Sequence, residues 1–145
     1  MVSISPRTFR KVVVGSALYD LLMSAPYTTP WSFAVVRAQA SALNQRLGGA
    51  PLPAFDAFHT LFPCLLGSLV LVWSVLRLRD PQQRFGRYDG AGRFLFATWM
   101  AWTLRRTGAP VCWLFLVPEL AWGVVQWLPV APATAAAAGA LDRRR

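Results

Sequence analysis

A single histidine, a single lysine and two widely separated cysteines set the first limits on this chain. One imidazole, His59, cannot supply a bis-histidine haem site, and it has too few acids around it for a zinc site. Cys64 and Cys112 form no CxxC pair, so the motif of a thioredoxin-like redox centre is missing and inert packing is expected of both. Neither a glycine-rich phosphate loop, nor a serine–histidine–aspartate spacing, nor an internal repeat is present. No cofactor and no metal are therefore expected. Charge is scarce as well. Only 14% of the 145 residues are charged, against 55% hydrophobic, yet the net charge is +9 and almost all of it is arginine. In a soluble protein such an excess would suggest a nucleic-acid surface. Here the arginines border apolar stretches, where anionic lipid headgroups would meet them, and nucleic-acid binding is not expected.

What the chain does have is four apolar stretches, at about residues 9–25, 57–78, 91–106 and 110–128. About 20 apolar residues cross a hydrocarbon core about 30 Å thick. Four spans and their loops fill residues 1–130 as one domain, and the expected fold class is all-α, a four-helix transmembrane bundle. Asp20 inside the first stretch argues against a cleaved signal peptide, so a retained first span is expected. Arg7, Arg10, Lys11, the arginines between the second and third spans, and Arg143–Arg145 form the basic side. That asymmetry predicts both termini in the cytoplasm, in a bacterial inner membrane. The third span is short, and Asp89 ahead of Gly90 reads as its N-cap. Between the first two spans, Trp31–Leu47 reads as an amphipathic helix on the outer leaflet, anchored by Trp31 and Phe33. Residues 131–145 form an alanine-rich basic tail.

Ionisable groups inside spans are costly, so each is a hypothesis about function. Ser16, Asp20 and Ser24 recur at i, i+4, i+8 and share a helical stripe; Cys112, Glu119, Gly123 and Gln126 share another. Asp56 and His59 lie one turn apart where the second span begins. With Arg105 and Arg106 at the end of the third span, the topology places Asp20, His59 and Glu119 in the outer half of the bilayer, leaving the inner half apolar. Two readings stay open. Asp20, Asp56, His59, Glu119 and Arg105 could line one ligand pocket open to the outside. Alternatively the carboxylates pair structurally with donors such as Arg105, and Asp56 simply caps a helix.

Tyr19-Asp20, the turn Ala25-Pro26-Tyr27-Thr28-Thr29-Pro30-Trp31, Ala91-Gly92-Arg93 and Val117-Pro118-Glu119-Leu120-Ala121-Trp122-Gly123 together resemble the small four-span DoxX-like and BphX-like membrane proteins of bacteria. That resemblance implies a four-helix membrane bundle of mostly unknown role and brings no catalytic residues with it. The expected function is that of an accessory or partner subunit, without enzymatic activity, contacting the anionic bilayer and another membrane protein. The alternative is an intramembrane cavity that binds a hydrophobic small molecule or lipid. In that case two acid/base groups of tuned pKa would serve a sterol-isomerase-like proton transfer.

Overall fold

The computed structural model describes residues 3–132. Five α-helices account for most of them: α1 (Pro6–Ser24), α2 (Pro30–Arg46), α3 (Ala57–Arg79), α4 (Gln83–Thr107) and α5 (Trp113–Trp127). The all-α expectation holds. Three of the helices start on a side chain that accepts an amide proton otherwise left without a partner. Ser5 accepts from the Thr8 amide, Thr29 from Ser32 and Asp56 from His59. Proline stands at the first position of α1 and α2, where no amide donor is needed. At the other end, α4 closes on Gly108, whose φ of 64° is a left-handed conformation that costs a residue with a Cβ. The segments ahead of α1 and after α5 are tied together by one short bridge. The Ile4 amide donates to the Pro129 carbonyl at 2.9 Å, and the Ala131 amide to the Ile4 carbonyl at 2.9 Å.

Helix α1 packs along α3, and α4 along α5. The two pairs meet where α1 crosses α4 and α5. Close approach, both at this crossing and within the α4–α5 pair, depends on small residues of α4. A Cβ on Gly86 would stand 2.7 Å from Val13 Cγ2 of α1, and one on Gly90 would stand 2.8 Å from Trp127 Cδ1 of α5. These two positions are one turn apart, so a single face of α4 carries both contacts.

The distribution of side chains reverses that of a protein in water. The largest fully buried side chains are Arg77 and Arg93, and Gln126, Asn44, Ser16 and Ser74 join them inside. Outward, α3 presents Phe58, Leu61, Phe62, Leu65, Leu69, Val72 and Leu76, while α5 presents Leu114, Val117 and Val124. Contiguous apolar surface on this scale marks contact with lipid or another protein. Two segments, Ala57–Arg79 and Pro110–Trp127, are long and apolar enough to cross a membrane.

Three expectations need correction. Helix α4 begins at Gln83, roughly two turns before the expected start of the third span, so Asp89 is a buried residue within the helix and not its cap. The run Gln83–Gly90 is polar and glycine-rich, yet Arg87 and Asp89 find partners inside the bundle, and that makes helix cheaper than loop. Phe33 is not an exposed anchor: it is buried between Tyr27 and Phe55, with ring centroids at 5.7 and 5.5 Å. Trp31 is 79% exposed, as an anchor would be. The expected tail at 131–145 falls almost wholly outside the described residues.

Candidate functional site: a buried ionic network

The stripes expected on α1 and α5 do turn inward. Ser16, Asp20 and Ser24 are buried on α1; Glu119, Gly123 and Gln126 are buried on α5. What they meet is a pair of arginines from the other two helices. Arg93 of α4 reaches three carboxylates at once. Its Nη2 donates to Asp20 Oδ2 at 2.7 Å, its Nη1 to Glu119 Oε2 at 3.1 Å and its Nε to Asp89 Oδ2 at 3.1 Å. Arg77 of α3 places Nη2 at 2.5 Å from the same Asp20 oxygen and Nη1 at 2.6 Å from Asp89 Oδ2. The planar guanidinium, with five donors in fixed directions, suits this shared geometry as a lysine ammonium would not.

Neutral groups complete the shell. Trp73 Nε1 donates to Asp89 Oδ1 at 3.0 Å, and its ring lies 5.6 Å from the Arg77 guanidinium. Gln126 Nε2 donates to Asp89 Oδ2 at 2.7 Å and to Ser16 Oγ at 2.8 Å. Tyr19 lies beside Arg93, with 5.9 Å between the guanidinium carbon and the ring centroid. Arg77 Nε and Gln126 Oε1 are buried without a hydrogen-bond partner among the described residues. Asp89 holds the Gln126 amide in this orientation, because the reverse would set its oxygen against a carboxylate.

Every core helix contributes, and the bonds run both within and between the two helix pairs. Arg77–Asp20 joins α3 to α1, and Arg93–Glu119 joins α4 to α5. Arg77–Asp89, Arg93–Asp20 and Gln126–Ser16 cross from one pair to the other. A charge withdrawn from water costs several kcal/mol unless it is paired and hydrogen-bonded, so each helix holds its neighbours in register. Three carboxylates face two guanidiniums, which leaves one formal negative charge over. A proton or a cation on the network would balance it.

Of the two readings left open for Asp20 and Glu119, the structure brings the two carboxylates together on Arg93. The other expected site residues stand apart. Asp56 and His59 lie at the exposed start of α3, where His59 Nδ1 is 2.8 Å from Asp56 Oδ1. Arg105 is exposed in the last turn of α4. The depth also differs. Arg77, Asp89, Arg93, Glu119 and Gln126 all lie within about three turns of the end where α3 passes to α4 and where α5 finishes. That is the half expected to be apolar. Arg77 and Arg93 look like border charges in the sequence, since each ends or opens an apolar run. Asp89 and Arg93 at i, i+4 carried the one available hint, since that spacing puts both on one helix face.

At the start of α3, the His59 amide and ring hold the Asp56 carboxyl below the usual carboxylate range. The capping contribution is therefore present above the ordinary carboxylate pKa and lost as pH falls through the lowered value. Asp56→Ala is expected to speed hydrogen exchange at the Phe58–Thr60 amides and to leave the melting temperature within a few degrees of the parent. A large loss of global stability would show that this exposed cap carries more than its own helix turn.

No family model, curated protein or solved structure matches the chain.

Proposed function

We propose that this chain is a four-span integral membrane protein of the bacterial inner membrane, with both termini cytoplasmic. Its ionic interior locks the bundle, and its outer surface does the work. That makes it an accessory or partner subunit contacting lipid and another membrane protein, of the DoxX-like or BphX-like kind. One observation carries this reading: Asp20 and Glu119 are both occupied by Arg93. Acid/base chemistry on a hydrophobic ligand needs a carboxylate directed at open space, and these two are directed at a guanidinium. The apolar outer rows of α3 and α5 supply the contact surface that a partner or lipid requires. Trp31, exposed at the start of α2, fits an anchor at the outer interface.

Single-cysteine labelling tests the topology in a background lacking Cys64 and Cys112. Arg46→Cys is expected to react from outside intact cells and Arg84→Cys only after permeabilisation. Arg46 is exposed in the last turn of α2, so a label there meets no neighbour. External labelling at position 84 would overturn the orientation and the four-span count together. For the partner, a photoreactive residue at Leu65 or Leu69 should give one discrete adduct in native membranes. Uniform labelling by lipid alone would remove the subunit reading.

A further inference from the structure

Three carboxylates against two guanidiniums leave the buried network one negative charge in excess, and the three acids are not equally placed to carry it. Asp89 accepts from four side chains: Trp73, Arg77, Arg93 and Gln126. Asp20 accepts from both Arg77 and Arg93. Glu119 has a single bond among the described residues, from Arg93 Nη1 to its Oε2 at 3.1 Å, and that guanidinium is already shared with the two aspartates. Its Oε1 has no partner among them, although the residue is only 9% exposed. The groups that face it are Arg93 and Asp89 from α4 and Tyr19 and Asp20 from α1. Behind these, Arg77 of α3 is engaged with the two aspartates, and Arg87 of α4 with the Gln126 and Leu128 carbonyls. The turn Pro110–Cys112, packed on the start of α5, brings Cys112, about two turns away. Two fully buried side chains of the same shell, Arg77 and Gln126, each keep one polar atom unpartnered among the described residues, so the shell has hydrogen-bonding capacity beyond what the chain fills.

We propose that Glu119 is a proton-binding site: the network holds one proton on Glu119 Oε1 to balance its charge, while Oε2 continues to accept from Arg93. A protonated carboxyl keeps acceptor capacity and gains one O–H donor, so the Arg93 bond survives loading. The loaded cluster sets two carboxylates against two guanidiniums and is neutral. The unloaded cluster carries an uncompensated charge in an apolar interior, which is the costly state. A metal ion fits less well, because Arg93 stands between Asp20 and Glu119 and no group of three metal-ligating side chains forms among the described residues. The seam between α4 and α5, which Arg93–Glu119 joins, is where loading and release act. The site requires the ionic network and is independent of how many helices span the membrane.

Glu119 is the only glutamate in the chain, so the parent protein reports on the site without mutation. The full chain is made by cell-free synthesis with carbon-13 at the glutamate carboxyl, placed in nanodiscs and followed by infrared difference spectroscopy. At neutral pH the label should show the C=O stretch of a protonated acid, replaced by carboxylate bands as the pH is raised. A carboxylate at neutral pH overturns the proposal. A labelled band that follows added sodium at fixed pH puts a cation there instead and also overturns it. Asp20→Asn tests the cause, because it leaves two carboxylates and two guanidiniums without any proton. Labelled Glu119 should then be ionised at neutral pH; a Glu119 still protonated in that variant would overturn charge balance as the reason for the site. If Asp20→Asn does not fold, the parent spectrum still decides. Glu119→Gln keeps a neutral acceptor for Arg93 and cannot titrate. A folded state that binds more protons than the unfolded chain loses stability as the pH rises through release of the proton. The parent melting temperature should therefore fall from neutral to alkaline pH more steeply than that of Glu119→Gln, and equal slopes would overturn the proposal.

Discussion

Arg93→Leu is expected to be the most damaging single substitution in the chain. It leaves Glu119 without its cation and strips Asp20 and Asp89 of one of their two, all three being carboxylates in the bundle interior. Removing one partner of a buried ionic cluster costs about 3–5 kcal/mol, because what remains is uncompensated charge and not merely a lost contact. Much of the detergent-purified protein should be unfolded or aggregated, and membrane levels should fall with it. Arg93→Lys should recover only part of the loss, since one ammonium cannot take up the directions of three guanidinium donors. Arg93→Leu combined with Asp20→Leu should cost less than the two single losses added, because the pair shares a bond. Melting curves of the parent, Arg93→Leu, Arg93→Lys, Asp20→Leu and the double variant decide the matter. A near-parental melting temperature for Arg93→Leu would mean that the carboxylates satisfy themselves without the arginine, and the clamp would have to be sought elsewhere.

The second large effect is steric. Gly86→Leu should force α4 away from α1, because even its Cβ would overlap Val13 and come within 2.9 Å of Phe9 Cε1. Overpacking a close helix crossing costs about 1–3 kcal/mol. The displacement also works against Arg93, which lies two turns further along α4 and must still reach Asp20. Gly92→Leu is the control. A Cβ there meets nothing within 4 Å, so the same added volume should be tolerated. Equal melting temperatures for Gly86→Leu and Gly92→Leu would show that the crossing is looser than its geometry.

The inward stripes were legible in the sequence, and the partners of those stripes were not. Ser16, Asp20 and Ser24 repeat at the helical period within an apolar background, as do Glu119, Gly123 and Gln126, and periodicity of that kind needs no tertiary knowledge. Arg77 and Arg93 are a different case. An arginine at the end of an apolar run has two physical solutions: its head can reach outward to water and headgroups, or inward to a carboxylate. The single sequence weights the first, because border arginines usually mark orientation. Asp20 and Glu119 on inward stripes demanded cations, and counting them against the available arginines would have pointed to the second. The early start of α4 was hidden for a related reason. Arg84, Arg87, Asp89 and two glycines read as a loop until it is known that Asp89 turns into the bundle and that Arg87 donates to the Gln126 and Leu128 carbonyls at 2.7 and 2.9 Å. His59 entered the pocket reading by its expected depth; it contacts Asp56 at an exposed helix start, where Asp56 caps α3 as the alternative reading has it.

The ionic network spans helices that leave the ribosome in sequence, and this sets an order of events during synthesis. On the four-span reading proposed above, Asp20 would be an unaccompanied carboxylate in an apolar segment when α1 emerges, placed in the last turns of the helix, where it opposes insertion less than a central aspartate would. Its first cation, Arg77, comes near the end of α3, and Arg93 arrives only with α4. On that reading stable insertion of α1 waits for α3, in a hairpin held by Asp20 and Arg77, and Asp89 and Arg93 follow already paired with each other, one turn apart on α4. A nascent chain stalled before Arg77 is translated should slip back toward the aqueous channel, and one stalled just after it should not.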